Sequence, residues 1–185
     1  MSQQKLNTEV LLQSCTQGDR FAQAEIYNRY YKAMYNTALR IVKDSFEAED
    51  VMQESFLNAF TKLDTFKGEV AFGAWLKRIV VNNSIHHYRK KQRNNEVSLG
   101  EVMHKVEDKD GVVTDHEFTN VQAQKVLETM KKLKDNYRIS LTLHLIEGYD
   151  HEEICDIMEI SYANCRTTIS RAKESLRKKL REVCI

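Results

Sequence analysis

"SYANCRTTISRAKESLRKKL", residues 161–180, combines a polar start, a basic body and a narrow apolar stripe. At about 100° per residue, Cys165, Ile169, Ala172, Leu176 and Leu180 fall along one side of a helix. Thr167, Ser170, Arg171, Glu174, Lys178 and Arg181 fall opposite, with Arg166 and Arg177 at the edge. One side is suited to packing and the other to a polyanion. Immediately upstream, "EISY" reads as a short turn, and before it a helix is expected over 151–158. Asp150 followed by Glu153 opens that helix as a capping box. A short helix, a tight turn and a longer basic helix make a helix-turn-helix, whose second helix enters the DNA major groove.

In that geometry the first turns of the second helix meet base edges, which places Arg166, Thr167, Ser170 and Arg171 there. Arginine can hold guanine O6 and N7 bidentately, and hydroxyls read either base type. Lys173, Arg177, Lys178 and Arg181 lie further along, where phosphate contact is expected. Two more helices are expected upstream, at about 118–133 and 137–147, the latter ended by Gly148.

The 185 residues include no proline and only six glycines, so long helices can run uninterrupted and an all-α fold is expected. A short helix is read near Thr8 to Thr16. Asp19 can cap a long helix over "RFAQAEIYNRYYKAMYNTALRIVK", and a break at Asp44-Ser45 starts "FEAEDVMQESFLNAFTKL". The loop "DTFKGE" then leads to "VAFGAWLKRIVVNNSIHHYRKK". From Asn94 to about His116 helical periodicity fails and acids accumulate, as in a linker. The expected organisation is two small helical domains, 1–93 and 118–185, joined by an acidic flexible linker over 94–117.

A formal net charge of +1 hides strong segregation. Between Lys77 and Arg93 the charged residues are all basic: Lys77, Arg78, Arg89, Lys90, Lys91 and Arg93. Between Glu96 and Glu117 acids dominate, and from Arg166 to Arg181 only Glu174 opposes the bases. Alternating blocks point to several binding surfaces. Cys15, Cys155, Cys165 and Cys184 form no CxxC or zinc-like spacing, and with no signal peptide read at the start they point to a reducing cytoplasm. Cys155 and Cys165 are expected to fill core positions. No apolar run reaches the length of a membrane span, so direct membrane insertion is not expected.

Two features distinguish the first domain. In "EAEDVMQESFLNAF", Ala48, Val51, Met52, Phe56, Ala59 and Phe60 supply a buried side, while Glu47, Asp50, Gln53 and Glu54 project outward. Crowded carboxylates repel one another, and a basic protein partner would relieve that. Acid–base catalysis or a metal is disfavoured by the exposed face and the lack of a nearby histidine. In "FKGEVAFGAWLKRIVVNNSIHHYRKKQR", Phe72, Leu76, Ile79 and Val80 make a packing stripe. Trp75, Arg78, Asn82 and Arg89 form an adjoining polar-aromatic strip, and Phe66–Phe72 with Gly68 can wall a pocket. Rings beside cations and an amide suit unstacked bases of a single strand. Trp75 reads more readily as a core residue than as a stacking platform, and the basic patch Arg89–Arg93 is the plainer nucleic-acid signal.

The residues 44–91, "DSFEAEDVMQESFLNAFTKLDTFKGEVAFGAWLKRIVVNNSIHHYRKK", resemble region 2 of the sigma-70 family of bacterial RNA polymerase sigma factors. "LKDNYRISLTLHLIEGYDHEEICDIMEISYANCRTTISRAKESLRKKL" is similar to region 4. Their order, with no room for region 3 and no region 1.1, resembles the extracytoplasmic-function (ECF) group. The resemblance implies that Asp50, Gln53, Glu54 and Phe56 dock on the clamp helices of the polymerase β′ subunit. It implies that Phe66, Lys67, Gly68, Glu69, Phe72 and Trp75 lie near the melted −10 element. Asn82 would help hold a flipped base, and Arg78, Arg89 and Lys90 would follow the backbone.

Arg166, Thr167, Ser170, Arg171 and Lys173 match the helix that reads the −35 element, with Arg177 beyond them. Core polymerase, through its β′ clamp helices and β flap, and promoter DNA are the implied partners. An anti-sigma factor is a possible third. The linker resembles the segment threaded near the RNA path. Lys134, Ala163 and Ala74 depart from the proline, glycine and threonine common at those positions. The rival reading is a stand-alone helix-turn-helix regulator that binds operator DNA, usually as a dimer. It would have no need of the strip Trp75–Arg78–Asn82–Arg89. An enzyme fits worst, since no nucleophile–base pair, phosphate loop or metal cluster is present. Neither a cofactor nor a small-molecule substrate is expected.

Overall fold

A computed structural model describes residues 7–97 and 121–183. Every regular element among them is helical, in two compact units. In the first, α1 (Thr8–Thr16) precedes α2 (Arg20–Val42), α3 (Ser45–Thr61), a 3₁₀ turn (Leu63–Thr65) and α4 (Phe72–Val97). Aspartates start the helices where expected. The Asp19 carboxylate accepts from the amides of Phe21 (2.8 Å) and Ala22 (3.3 Å), and that of Asp44 accepts from Phe46 (2.9 Å) and Glu47 (3.0 Å). Each satisfies orphan donors of a first turn. Lys43 adopts a left-handed φ of 69°, which ends α2 and lets Asp44 start α3 at once.

α2, α3 and α4 pack mutually, burying Ile26, Met34, Ala38 and Ile41 against Ala48, Val51, Met52 and Phe56 and against Leu76, Val80, Val81 and Ile85. α1 adds Leu11, Leu12 and Cys15 to the α2 side. Each fully buried aliphatic side chain contributes roughly 1.5–3 kcal/mol of transfer free energy. One polar tie crosses this interior. The buried Ser55 hydroxyl donates to Val51 O (2.6 Å) and accepts from Asn83 Nδ2 (3.0 Å). Close approach of α2 and α4 requires glycine at 73, since a Cβ there would lie 2.9 Å from the Tyr30 ring.

In the second unit, α5 (Val121–Lys131) and α6 (Asp135–Leu141) pack on α8 (Tyr162–Val183), with α7 (His151–Met158) against the start of α8. Met130, Leu133, Leu141, Ala172 and Leu176 form one cluster, and Val126, Tyr137, Ile146 and Leu180 border it. Asp150 makes the expected capping box. Its carboxylate accepts from the Glu153 amide (2.8 Å), and the Glu153 carboxylate accepts from the Asp150 amide (3.0 Å).

Several boundaries differ from the expectation, chiefly on α4 and α6. α4 starts at Phe72 rather than Val70, and it continues past Arg93 to Val97, so 94–97 are helical rather than linker. "QRNNEV" contains neither proline nor glycine, so no residue there breaks the backbone ladder. α6 begins earlier, at Asp135, and continues as a π segment, Thr142–Ile146, in which the Glu147 amide donates to Thr142 O at 3.0 Å. The rest of the expected linker, 98–117, lies outside the described residues.

Candidate functional site

Each surface expected from the sequence lies within one unit. On α8, Cys165, Ile169, Ala172 and Leu176 are buried, which turns Arg166, Thr167, Ser170, Arg171 and Arg177 outward, with Lys173 half-buried. Ser161 caps the helix by accepting from the Asn164 amide at 3.3 Å. The positive φ that ends α7 falls on Glu159 (49°), not on Ala163, so alanine at 163 carries no backbone strain. Thr167 donates its hydroxyl to Ala163 O (2.8 Å) and Thr168 to Asn164 Oδ1 (3.2 Å). Both hydroxyls therefore present mainly acceptor lone pairs outward. Arg166, Ser170 and Arg171 supply the donors on this face.

In the first unit, Phe66, Phe72 and Trp75 form a triangle. Ring centroids are 5.6 Å apart for Phe66–Phe72, 5.3 Å for Phe66–Trp75 and 5.6 Å for Phe72–Trp75. Such separations are typical of tilted and edge-to-face aromatic pairs. The hollow above them, about 140 Å³, is lined by Thr65, Phe66, Lys67, Gly68, Glu69, Val70 and Trp75. Gly68 has φ +74°, which turns the loop back over the hollow. Phe66 and Trp75 are half-buried and Lys67 is exposed, so two rings and one cation border the opening.

Phe72 differs from its expected role. It is 4 % exposed and wedged between Tyr30 (5.4 Å) and the other two rings, so it forms a floor and offers no face to a base. The reason is its position at the first turn of α4, where the helix enters the bundle. Further along α4, Asn82 and Lys90 are exposed, and Arg78 and Arg89 are half-buried.

The acidic face of α3 is present, with two corrections. Asp50, Gln53 and Glu54 are exposed beside Glu49. Phe56, which the resemblance implies at that surface although its helical spacing puts it on the buried side, is 3 % exposed and packs on Tyr27 (4.8 Å) and Phe60 (6.1 Å). It can brace the face but not touch a partner. Glu47, expected to project, is folded against α4, where Lys91 Nζ lies 2.6 Å from Oε1 and His87 Nδ1 3.8 Å from Oε2. The sequence reading also missed Phe46 (83 % exposed) and Leu57 (67 %), two apolar side chains at the ends of the acidic face. Their spacing from Asp50 and Gln53 (residues 46, 50, 53, 57) is a helical stripe that was available in the sequence.

The electrostatics follow the packing. Burial, with the neighbouring ring of Tyr31 and the charge of Glu49 adding to it, raises the phenol pKa of Tyr27 and of Tyr35, which Asp44 raises further. Burial pushes the Cys165 thiol up to about 11, and adjacent Cys155 adds to the shift. Among the described residues no cluster of three or more His, Cys, Asp or Glu is placed to hold a metal ion. No helix among them is long and apolar enough to cross a membrane.

Comparison with known proteins matches both units. The family pattern described as Sigma-70 region 2 matches residues 26–94, and that described as Sigma-70, region 4 matches residues 123–176. The ECF RNA polymerase sigma factor SigW of Bacillus subtilis is 33 % identical over 177 residues, covering 90 % of this chain and 92 % of that protein. The ECF RNA polymerase sigma-E factor of Haemophilus influenzae is 28 % identical over 184 residues, covering 96 % of this chain and 97 % of its own. Among solved structures, the sigma factor RpoE of Bartonella quintana, crystallised with the anti-sigma factor NepR, shares the fold with a TM-score of 0.61. That match has 21 % identity and covers 85 % of this chain and 96 % of that one. Two sigma regions in this order, and a named ECF sigma factor 33 % identical over nearly the whole of both chains, leave no room for a stand-alone regulator: the chain belongs to the ECF group of the sigma-70 family of RNA polymerase sigma factors.

Proposed function

We propose that this sigma factor recruits core RNA polymerase through the face of α3 and reads promoter DNA at two places. Asp50, Gln53 and Glu54 would meet basic residues of the β′ clamp helices, with Phe46 and Leu57 as apolar anchors at either end and Phe56 bracing the face from behind. The hollow bordered by Phe66, Lys67 and Trp75 would take an unstacked base of the melted −10 strand, over the floor made by Phe72. Arg78, Asn82, Arg89 and Lys90 would carry that strand along α4. Arg166, Ser170 and Arg171 would donate to base edges of the −35 duplex. Thr167 would offer an acceptor there, and Lys173 and Arg177 would hold phosphates.

The β flap would meet the second unit. Region 2 would comprise residues 1–93 with the α4 extension to Val97, and region 4 residues 118–185. The protein would work in the cytoplasm, carry no catalytic activity of its own, and be open to control by an anti-sigma factor, as its crystallised fold relative is paired with one.

The observation that carries this reading is the aromatic hollow beside Lys67. A protein that reads only duplex DNA has no use for a place to seat a base pulled out of the stack. The test is co-elution of the full chain with core polymerase. A stoichiometric complex that is lost in the Asp50→Lys/Glu54→Lys variant, with helical circular dichroism unchanged, supports the assignment. Complex formation by that variant at wild-type strength places the polymerase contact elsewhere.

A further inference from the structure

Two thiols sit where the two helices of the DNA-reading unit meet, and neither is used in the proposed function. Cys165 lies in the first turn of α8, one residue before Arg166, and is 1 % exposed. Its Sγ–H points at the carbonyl oxygen of His151, 3.6 Å away. In α7 that carbonyl lies beneath the amide of Cys155, four residues on, so the Cys165 sulfur rests against the turn that carries Cys155. Cys155 is half-buried and in the last turn of α7, where its own carbonyl accepts from the amide of Ile160 (3.1 Å) and is capped by that of Glu159. Glu159, the left-handed residue of the turn, lies between the two cysteines along the chain, and the helices that carry them, α7 and α8, pack on each other. The elevated thiol pKa of Cys165, to which Cys155 contributes, accords with that proximity.

We propose that Cys155 and Cys165 are an oxidisable dithiol that hydrogen peroxide closes to a disulfide within the helix-turn-helix, displacing the start of α8. Cys155 is the more accessible thiol and reacts first. Its thiolate attacks the peroxide, the O–O bond breaks, and a sulfenic acid forms while hydroxide leaves and takes up the thiol proton as water. The Cys165 sulfur then attacks the Cys155 sulfur, the S–O bond breaks, and the hydroxyl leaves with the Cys165 proton as a second water. Two thiols lose two electrons and one peroxide gains them. An S–S bond of about 2 Å is much shorter than any non-bonded sulfur contact. Closure therefore draws the first turn of α8 toward α7 and moves Arg166, the adjacent residue, off its base-reading position. A reductant reverses the change.

The full chain is treated with hydrogen peroxide, quenched with catalase, alkylated and digested. No Lys or Arg lies between Ile139 and Cys165, so both cysteines fall in one tryptic peptide, 139–166. The expected result is that this peptide is lighter by two hydrogens, takes no alkyl group, and stays joined after cleavage at Glu159. Dithiothreitol restores two alkylation sites. Cys155→Ser and Cys165→Ala each abolish the product, whereas Cys15→Ala with Cys184→Ser retains it. An alkylated 139–166 peptide after peroxide, or cross-links confined to Cys15 and Cys184, overturns the proposal.

The effect on DNA rests on the duplex reading proposed above and is scored separately. With core polymerase added after the quench, −35-dependent promoter binding should fall about tenfold, the loss of one good bidentate contact, and recover with dithiothreitol. A disulfide formed with unchanged binding overturns the displacement of α8. If unoxidised protein binds promoters independently of the −35 sequence, the duplex reading fails instead, while the mass measurement still decides the dithiol.

Discussion

The residues proposed to meet DNA lie on α8 in the second unit and on α4 with the loop before it in the first, and the two places present them in opposite ways. On α8 recognition and packing are separated by the helix period: Cys165, Ile169, Ala172 and Leu176 face the core, and Arg166, Ser170 and Arg171 face away. Around α4 the two functions share residues. Phe72 is a buried floor, Trp75 and Phe66 are half in the core and half in the hollow, and Asn82 is exposed while its neighbour Asn83 is turned inward to Ser55. The difference matches the substrates. A duplex groove accepts a convex helix whose outer face can vary freely, whereas an unstacked base needs a concave seat, and a seat is lined by side chains that also hold the fold.

The comparison is most exposed at Phe72. Phe72→Ala removes a buried ring and should destabilise the first unit by about 3–5 kcal/mol, measured by urea unfolding of the full chain. A loss of promoter opening with no loss of stability would instead make Phe72 a direct base contact. Next in size is Arg171→Ala, which should weaken promoter binding by about 1–3 kcal/mol at moderate salt. Its effect on stability should stay within about 0.5 kcal/mol, as for a surface site. Destabilisation comparable to Phe72→Ala would erase the distinction between the two helices.

Smallest is the tie between α3 and α4. In a double-mutant cycle, Glu47→Gln and Lys91→Met should show a coupling of about 0–1 kcal/mol that fades with added salt, since the Lys91 side chain is 44 % exposed. A salt-independent coupling would mark Glu47 as a buried hub of the fold.

Much of this molecule was legible along the chain because the interactions concerned are local. Asp19, Asp44 and Asp150 satisfy amides two or three residues away, so the helix starts they mark need no knowledge of the rest of the protein. The two faces of α8 follow from the period alone. The end of α4 lies past the last apolar-periodic turn because 92–97 hold no proline or glycine, so the helix continues without the periodicity that marks its core. The π segment after α6 left no signal in composition.

Among candidate contacts, the exposure of Asp50, Gln53 and Glu54 followed from helical spacing. Helical spacing also put Phe56 and Phe72 on packing sides, where they lie, whereas the contact roles implied by the resemblance do not hold for them, because a motif gives residue identity without saying which aromatic faces inward. Helical spacing and capping chemistry thus determined an all-α chain, the outward basic face of α8 and the carboxylates of α3. Tertiary structure alone decided that Phe72 lies beneath Trp75, that Lys91 folds Glu47 away from the acidic face across 44 residues of sequence, and that Phe46 and Leu57 stand uncovered at its ends. These depend on which helix packs where, and packing joins residues whose separation along the chain carries no period to read.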